Sequence, residues 1–197
     1  MLATHPSLPA GSVKEFIALA KAQPGKLNYS STGLGSVGHL ATVLFATRTG
    51  IDVTHVAYKG TGPTVTALLV GEVQFMMPNL IGALSLVRAG RLKALGVASR
   101  ERSPLARDLP TLDESGVPGF DEGTWYGVMA PAGTPKSVIE LLNREITAVL
   151  ETRDFRYKVE ATGVIPRAST PEEFRKFVRS EIDKWGRVMK DAHINPT

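Results

Sequence analysis

A run of hydroxyl side chains and glycines, at residues 30–39, is the part of this sequence whose residue types most clearly suggest chemistry. It lies between a predicted strand and a predicted helix, where backbone N–H groups converge and the helix start adds partial positive charge. An anion is the ligand that such a turn favours, although a tight connection capped by Ser36 explains the pattern about as well. The candidate ligand-binding residues in this run are Ser31, Thr32, Gly33, Gly35, Ser36, Gly38 and His39.

Two further turns also follow predicted strands and carry candidate ligand-binding residues. One contains Tyr58, Lys59 and Gly60, which offer an aromatic face with a hydroxyl group, a positive charge and a flexible backbone. The other contains Asn79, which either contacts a ligand or, as the sequence favours, caps the next helix. Ligands of open α/β sheets bind at the carboxyl ends of the strands, so all three turns are expected at one crevice. An exposed turn lysine beside a half-buried tyrosine remains the simpler interpretation of the second turn.

Catalytic, cofactor and metal sites are not predicted. The glycine-rich run lacks the Gly-Lys-Ser/Thr ending of a P-loop and the acidic residue of a dinucleotide site. Ser31 or Ser36 could pair with His39 or His55, but no nucleophile elbow selects one pairing. The histidines show neither ligand spacing nor a local carboxylate partner. They are His5, His39, His55 and His193.

The elements that position these turns alternate between strand and helix. Strands are predicted at 27–31, 53–58, 73–77 and 92–98. Helices are predicted at 12–22, 39–49, 64–70 and 80–89. This alternation is typical of an α/β fold with a mostly parallel sheet and flanking helices. The segment 6–99 is therefore predicted to be one ligand-binding lobe.

Composition changes after residue 99. Prolines, glycines and charges at 100–123 indicate a connector between lobes rather than a core element. The remainder, 124–197, begins with a strand-like stretch at 124–130 and continues with amphipathic helices. Pro135 suits a helix start, and Thr170 followed by Pro171 and two acids predicts a capped final helix. Because only one strand is predicted in this portion, the apolar faces of its helices have little sheet to pack against.

Bulk composition excludes several classes of protein. The chain has 197 residues, a net charge of +4 and scattered basic residues, so nucleic-acid binding is not predicted. It has no cysteines, which excludes disulfide scaffolds and thiolate sites. No signal peptide is recognised at the start of the sequence, and no apolar run approaches the roughly 20 residues that span a bilayer.

Several motifs, in order along nearly the whole chain, resemble one family. The stretches LNYSSTGLGSVGHL at 27–40, HVAYKG at 55–60 and WYGVMAPAGTP at 125–135 carry the likeness, together with 87–95 and 102–116. They are similar to the Bug or TctC-like family, the extracytoplasmic binding proteins of tripartite tricarboxylate transporters. The resemblance implies a periplasmic-binding-protein-like (type II) clamshell that holds a small carboxylate, delivers it to membrane transporter subunits and performs no reaction. It also implies a periplasmic location.

Two departures from the family pattern affect these expectations. Pro78 stands where the family usually has an aspartate, which makes amino-acid ligands less expected. The family's N-terminal segment has no counterpart here, so we expect one lobe to be incomplete. The 124–197 portion would then self-associate or pack differently, and ligand binding would be weak or absent. Two other functions remain open: a phosphate- or anion-binding α/β enzyme, and the effector-binding domain of a regulator.

Overall fold

A mixed five-stranded sheet forms the centre of the first part of the chain. The computed structural model describes residues 1–192 and residue 194, so His193 lies outside the described residues. The strands are β1 (Leu2–Thr4), β2 (Asn28–Ser31), β3 (Thr54–Ala57), β4 (Phe75–Met76) and β5 (Lys93–Gly96), in the spatial order β3-β2-β4-β1-β5. The helices between them are α1 (Val13–Ala22), α2 (Val37–Thr49), α3 (Thr61–Leu69) and α4 (Leu80–Arg88). The predicted α/β fold is confirmed.

Local sequence explains where these helices begin and end. Ser12 and Ser36 cap α1 and α2, with each side chain accepting a hydrogen bond from the third residue along. Gly50 ends α2 in the left-handed conformation that a helix C-terminus favours. The start of α2 is thereby fixed directly after the loop in which candidate ligand-binding residues lie.

Two apolar clusters cover the two faces of the sheet. Phe16, Phe45 and Phe75 pack in one cluster, and Phe16 meets Phe75 edge to face with 4.9 Å between the ring centroids. Leu68, Met76 and other aliphatic side chains form the second cluster on the opposite face. Phe75 and Met76 are consecutive in β4, so the alternation of a strand places them on opposite sides. Both faces of the sheet are therefore buried.

The sheet is not mostly parallel as the sequence predicts. The pairs β2–β3 and β2–β4 are parallel, whereas β1 pairs antiparallel with both β4 and β5. The prediction was wrong because it did not recognise β1, whose three residues are too short to show alternation. All three are buried, so β1 is held by its neighbours rather than by local propensity.

The segment 100–123 contributes to the core of this first unit, contrary to the expectation of a simple connector. Leu112, Val117 and Phe120 are fully or almost fully buried in the first cluster. Backbone hydrogen bonds tie Val97 to Pro110 and Leu112, which anchors the segment beside β5. The prolines and charged residues of this segment dominate its sequence pattern, so the pattern did not predict that three of its apolar residues point into the core.

A second unit spans Trp125–Arg187, while the first comprises Met1–Thr124 and the described residues from Val188 onward. The second unit contains α5 (Lys136–Glu151), α6 (Arg153–Glu160) and most of α7 (Pro171–Asp191). Thr170 caps α7 as predicted, and Glu173 reciprocates by accepting a hydrogen bond from the N–H of Thr170. Trp125 packs edge to face against Phe174 and Phe177.

The strand predicted at 124–130 is wrong, because these residues form no regular element. No strand is present among the described residues of the second unit, so this stretch has no partner with which to pair. In the part of the chain that the structure describes, no helix combines the length and the apolar character needed to span a membrane.

Candidate ligand-binding site

Three predicted turns lie at one edge of the sheet. Because β2 is parallel to both β3 and β4, the carboxyl ends of all three strands point the same way. The turn at 31–39, here called the glycine turn, follows β2, the Tyr58 turn follows β3, and Asn79 follows β4. Helices α2, α3 and α4 begin at this same edge, which concentrates helix N-termini and their partial positive charge there.

Hydrogen bonds within the glycine turn fix its shape. The carbonyl oxygen of Gly33 accepts from Ser36 N at 3.3 Å, from Ser36 Oγ at 2.8 Å and from Ser31 Oγ at 3.0 Å. The N–H of Gly33 donates back to Ser31 Oγ at 3.2 Å, and the N–H of Gly35 donates to His39 Nδ1 at 3.0 Å. The predicted residues Ser31, Gly33, Gly35, Ser36 and His39 therefore form one bonded unit.

Four backbone N–H groups of the glycine turn have no hydrogen-bond partner among the described residues: those of Thr32, Leu34, Val37 and Gly38. Two of them, at Val37 and Gly38, belong to the first turn of α2. Unpaired amides at the start of a thirteen-residue helix are suited to binding an anion. The turn can therefore supply several hydrogen-bond donors to one carboxylate.

Glycine is required in this turn for two separate reasons. Gly33 has φ of 131° and Gly35 has φ of 72°, values that side chains other than glycine rarely adopt. Gly38 has an ordinary helical conformation, but a Cβ atom there would lie 3.1 Å from the backbone oxygen of Met77. The start of α2 therefore approaches the end of β4 so closely that a Cβ atom at position 38 would require the backbone of Met77 to shift by a few tenths of an ångström.

The Tyr58 turn is bonded directly to the glycine turn. Tyr58 N donates to the carbonyl of Ser31 at 2.9 Å, and the Thr64 hydroxyl contacts the carbonyls of Gly60 and Ser31 at 2.7 and 3.3 Å. Lys59 is exposed, and its ammonium has no partner among the described residues. Its charge is therefore available to an anion at this edge.

Tyr58 and Asn79 are engaged in contacts of their own. The Tyr58 hydroxyl donates to Glu72 Oε1 at 2.7 Å, and burial, followed by this carboxylate, raises the pKa of Tyr58. Asn79 Oδ1 accepts from the N–H of Ile81 at 3.4 Å, which is the capping role that the sequence favours.

An aromatic stack behind the glycine turn was missed by sequence reasoning. His55 lies 4.9 Å from Tyr29 and 4.1 Å from His39, measured between ring centroids, and all three rings are stacked. His55 Nε2 also lies 2.7 Å from Ser31 Oγ. The available signal was strand register, since Tyr29 of β2 and His55 of β3 are direct partners on one face.

The stack favours neutral histidines. Burial lowers the pKa of His39, and burial together with the neighbouring His39 lowers the pKa of His55 to about 4. Burial also raises the pKa of Tyr29. No acid among the residues that the structure describes forms a hydrogen bond with either histidine ring, so the Ser31–His55 contact lacks the orienting acid of a catalytic triad. Among the described residues, no group of three or more His, Cys, Asp or Glu side chains could hold a metal ion.

Comparison with known proteins identifies relatives along the whole chain. A family model described as "Tripartite tricarboxylate transporter family receptor" matches residues 1–194. The protein BugT of Bordetella pertussis is 38% identical over 192 residues, which cover 98% of this chain and 59% of BugT. The match to BugT is long enough to include the glycine turn and both structural units.

Two solved structures of relatives contain a carboxylate in their descriptions. An R. palustris protein with adipate has a TM-score of 0.85 and 37% identity, over 100% of this chain and 66% of that one. MatC from Rhodopseudomonas palustris with bound malate has a TM-score of 0.76 and 32% identity, over 95% of this chain and 65% of that one. The chain thus spans less than two thirds of BugT and of each of these two solved relatives.

Proposed function

We propose that this chain, which belongs to the tripartite tricarboxylate transporter receptor family, forms part of a periplasmic binding protein that captures a small carboxylate. Membrane subunits of a tripartite transporter would receive the ligand. The family description is that of a transport receptor and not of an enzyme, so no reaction is proposed. The clamshell form of the whole protein and its location in the periplasm are part of this proposal.

One observation carries the proposal: the unpaired amides of the glycine turn lie beside a turn that bears an available lysine. The amides of Val37 and Gly38 add the partial charge of the α2 N-terminus to their hydrogen bonds. Lys59, on the adjacent strand's turn, adds a full charge with no partner among the described residues. A carboxylate has two acceptor oxygens and one negative charge, which this arrangement matches.

Relatives support a carboxylate over a phosphate. The two solved relatives are described with adipate and with malate, both of which are dicarboxylates. The glycine turn also lacks the lysine and hydroxyl pattern by which P-loops hold phosphates. We therefore propose a mono- or dicarboxylate as the ligand of this edge, with the candidate residues named above forming the site, either by contacting the ligand or by holding the turns in place.

Titration of isotope-labelled chain with disodium adipate tests this proposal, because amide chemical shifts detect weak as well as tight binding. We expect saturable shifts at Thr32, Leu34, Val37 and Gly38, and no such shifts with the uncharged diol of the same chain length. Sodium phosphate serves as the competing anion. Shifts that are absent, that also occur with the diol, or that favour phosphate over adipate would count against the proposed function.

A further inference from the structure

Three contacts connect the two ends of the glycine turn through the stacked histidines. Gly35 N–H donates to His39 Nδ1 at 3.0 Å, the His39 and His55 rings stack with centroids 4.1 Å apart, and His55 Nε2 lies 2.7 Å from Ser31 Oγ. The residues come from β2, α2 and β3 and from the turn between β2 and α2. The shape of the turn is therefore tied to rings behind it and not only to its own backbone.

The contacts of His39 define which ring nitrogen carries the proton. Nδ1 accepts from the Gly35 amide, so a neutral ring must carry its proton on Nε2. His39 is 3% exposed, and the nitrogen that faces the turn is already occupied by that amide. The His39 ring is thus arranged to hold the turn rather than to touch a ligand.

The contacts of Ser31 similarly define the role of His55. The Ser31 hydroxyl has one proton and lies near the Gly33 carbonyl at 3.0 Å, the Gly33 amide at 3.2 Å and His55 Nε2 at 2.7 Å. All three contacts are satisfied together when Ser31 donates to the carbonyl and accepts from the amide and from His55. His55 then acts as a donor, which holds Ser31 in place and leaves it without a base.

We infer that His39 and His55 are positioning residues of the carboxylate site, which hold the glycine turn in the one conformation that leaves its four unpaired amides free for the ligand. This inference rests on the proposed function. A turn that is fixed before binding loses less conformational entropy on binding, so affinity depends on the buried rings although they make no contact with the ligand. The acceptor at position 39 is the critical atom.

Protonation of the pair would oppose this arrangement. A proton on His39 Nδ1 would face the Gly35 N–H, so two donors would meet and the contact would be lost. The titratable groups that face the two rings are Tyr29 from β2, His39 from α2 and His55 from β3. None of these carries a negative charge at neutral pH, so nothing in the stack promotes the charged imidazolium.

A pair of substitutions at one position separates positioning from packing. His39→Leu removes the acceptor, whereas His39→Asn places an oxygen acceptor at the same number of bonds from the backbone as Nδ1. Both variants lose the stacked ring, so both should lose a similar amount of stability in urea denaturation. Only His39→Leu should release the Gly35 amide, which hydrogen exchange measures directly.

Adipate affinity is then measured by amide-shift titration of the wild type and both variants. We expect His39→Leu to weaken binding about tenfold, as for loss of one hydrogen bond, and His39→Asn to recover most of that loss. In the wild type, nitrogen shifts of the His39 ring should show the proton on Nε2, and Gly35 should exchange more slowly than Thr32 or Leu34.

The outcomes distinguish this inference from the proposed function. Equal weakening by both variants, no weakening by His39→Leu, or a proton on Nδ1 in the wild type would overturn the positioning role. If adipate causes no shifts in the wild type, the proposed function fails, and exchange at Gly35 decides the positioning role alone. Fast exchange of Gly35 in the wild type, or unchanged exchange in His39→Leu, would then refute it.

Discussion

Removing the charge of Lys59 should weaken carboxylate binding by a small amount that depends on salt. Lys59 is exposed, so its charge acts through water rather than through a low-dielectric interior. Two unit charges about 4 Å apart in water interact by about 1 kcal/mol. Lys59→Ala should therefore raise the dissociation constant for adipate about fivefold at low ionic strength. An increase of about fivefold in the dissociation constant lies at the low end of the range expected for loss of a lysine that is partly shielded from water.

Lys26 offers a matched control at the opposite end of the parallel strands. It is also exposed, but it precedes β2, whereas Lys59 follows the adjacent parallel strand β3. The four extended steps from Leu27 to Ser31 alone cover about 13 Å, and Lys26 lies in the turn before them. At this distance the unscreened interaction of two unit charges in water falls to about 0.3 kcal/mol, so Lys26→Ala should change the dissociation constant less than about twofold even at low ionic strength.

Calorimetry or amide-shift titration with adipate, at low ionic strength and at about 1 M salt, measures both variants. The difference between Lys59→Ala and the wild type should nearly disappear at the higher salt, where screening is strongest. An unchanged affinity in Lys59→Ala at low salt would refute the assigned role of Lys59. The same conclusion would follow if Lys26→Ala weakened binding equally, because the effect would then come from net charge.

Four further outcomes are expected. Gly33→Ala should lower the free energy of unfolding by about 1–2 kcal/mol, measured by urea denaturation, because φ at Gly33 is 131°. Gly82→Ala in α4, where a Cβ atom meets open space, should leave this free energy unchanged or raise it. Equal effects of the two substitutions would contradict the strain argument. The pKa of His55 is about 4 in the folded chain and 6.5 in the unfolded chain, so the unfolded chain binds more protons between these values. The stability present above pH 6.5 should therefore decline as the pH falls towards 4. A His55→Gln variant should show a shallower decline, and identical pH profiles would exclude His55 as the cause. Gly127→Ala should destabilise the second unit because the added methyl group would overlap the Phe174 ring, whereas Gly186→Ala should not. Both tryptophans, Trp125 and Trp185, lie in this unit and report on its unfolding by fluorescence. An unchanged unfolding transition in Gly127→Ala would be inconsistent with the packing described. The second unit exposes large apolar side chains, among them Val128 at 72% and Ile182 at 66% exposure. We expect these side chains to cause self-association of this chain, which sedimentation velocity measures. A monomer at all concentrations would disprove this expectation.

The sequence by itself determined the features that depend on neighbouring residues. The alternation of strand and helix, the caps at Ser36 and Thr170, and the glycine turn at the end of β2 were all predicted. Each of these depends on residues three or four positions apart, or on a single glycine or hydroxyl at a fixed place. The ordered motifs were also sufficient to identify the family, since the family model matches residues 1–194.

Tertiary structure decided which distant residues meet. β1 has only three residues, yet it lies between β4 and β5 because those strands offer it hydrogen bonds and buried neighbours. Conversely, the strand-like stretch at 124–130 has no pairing partner among the described residues and remains irregular. Ser31 and His55 are 24 positions apart, and only the parallel register of β2 with β3 brings them within 2.7 Å. Pairing of strands depends on a partner elsewhere in the chain, so local patterns cannot specify it.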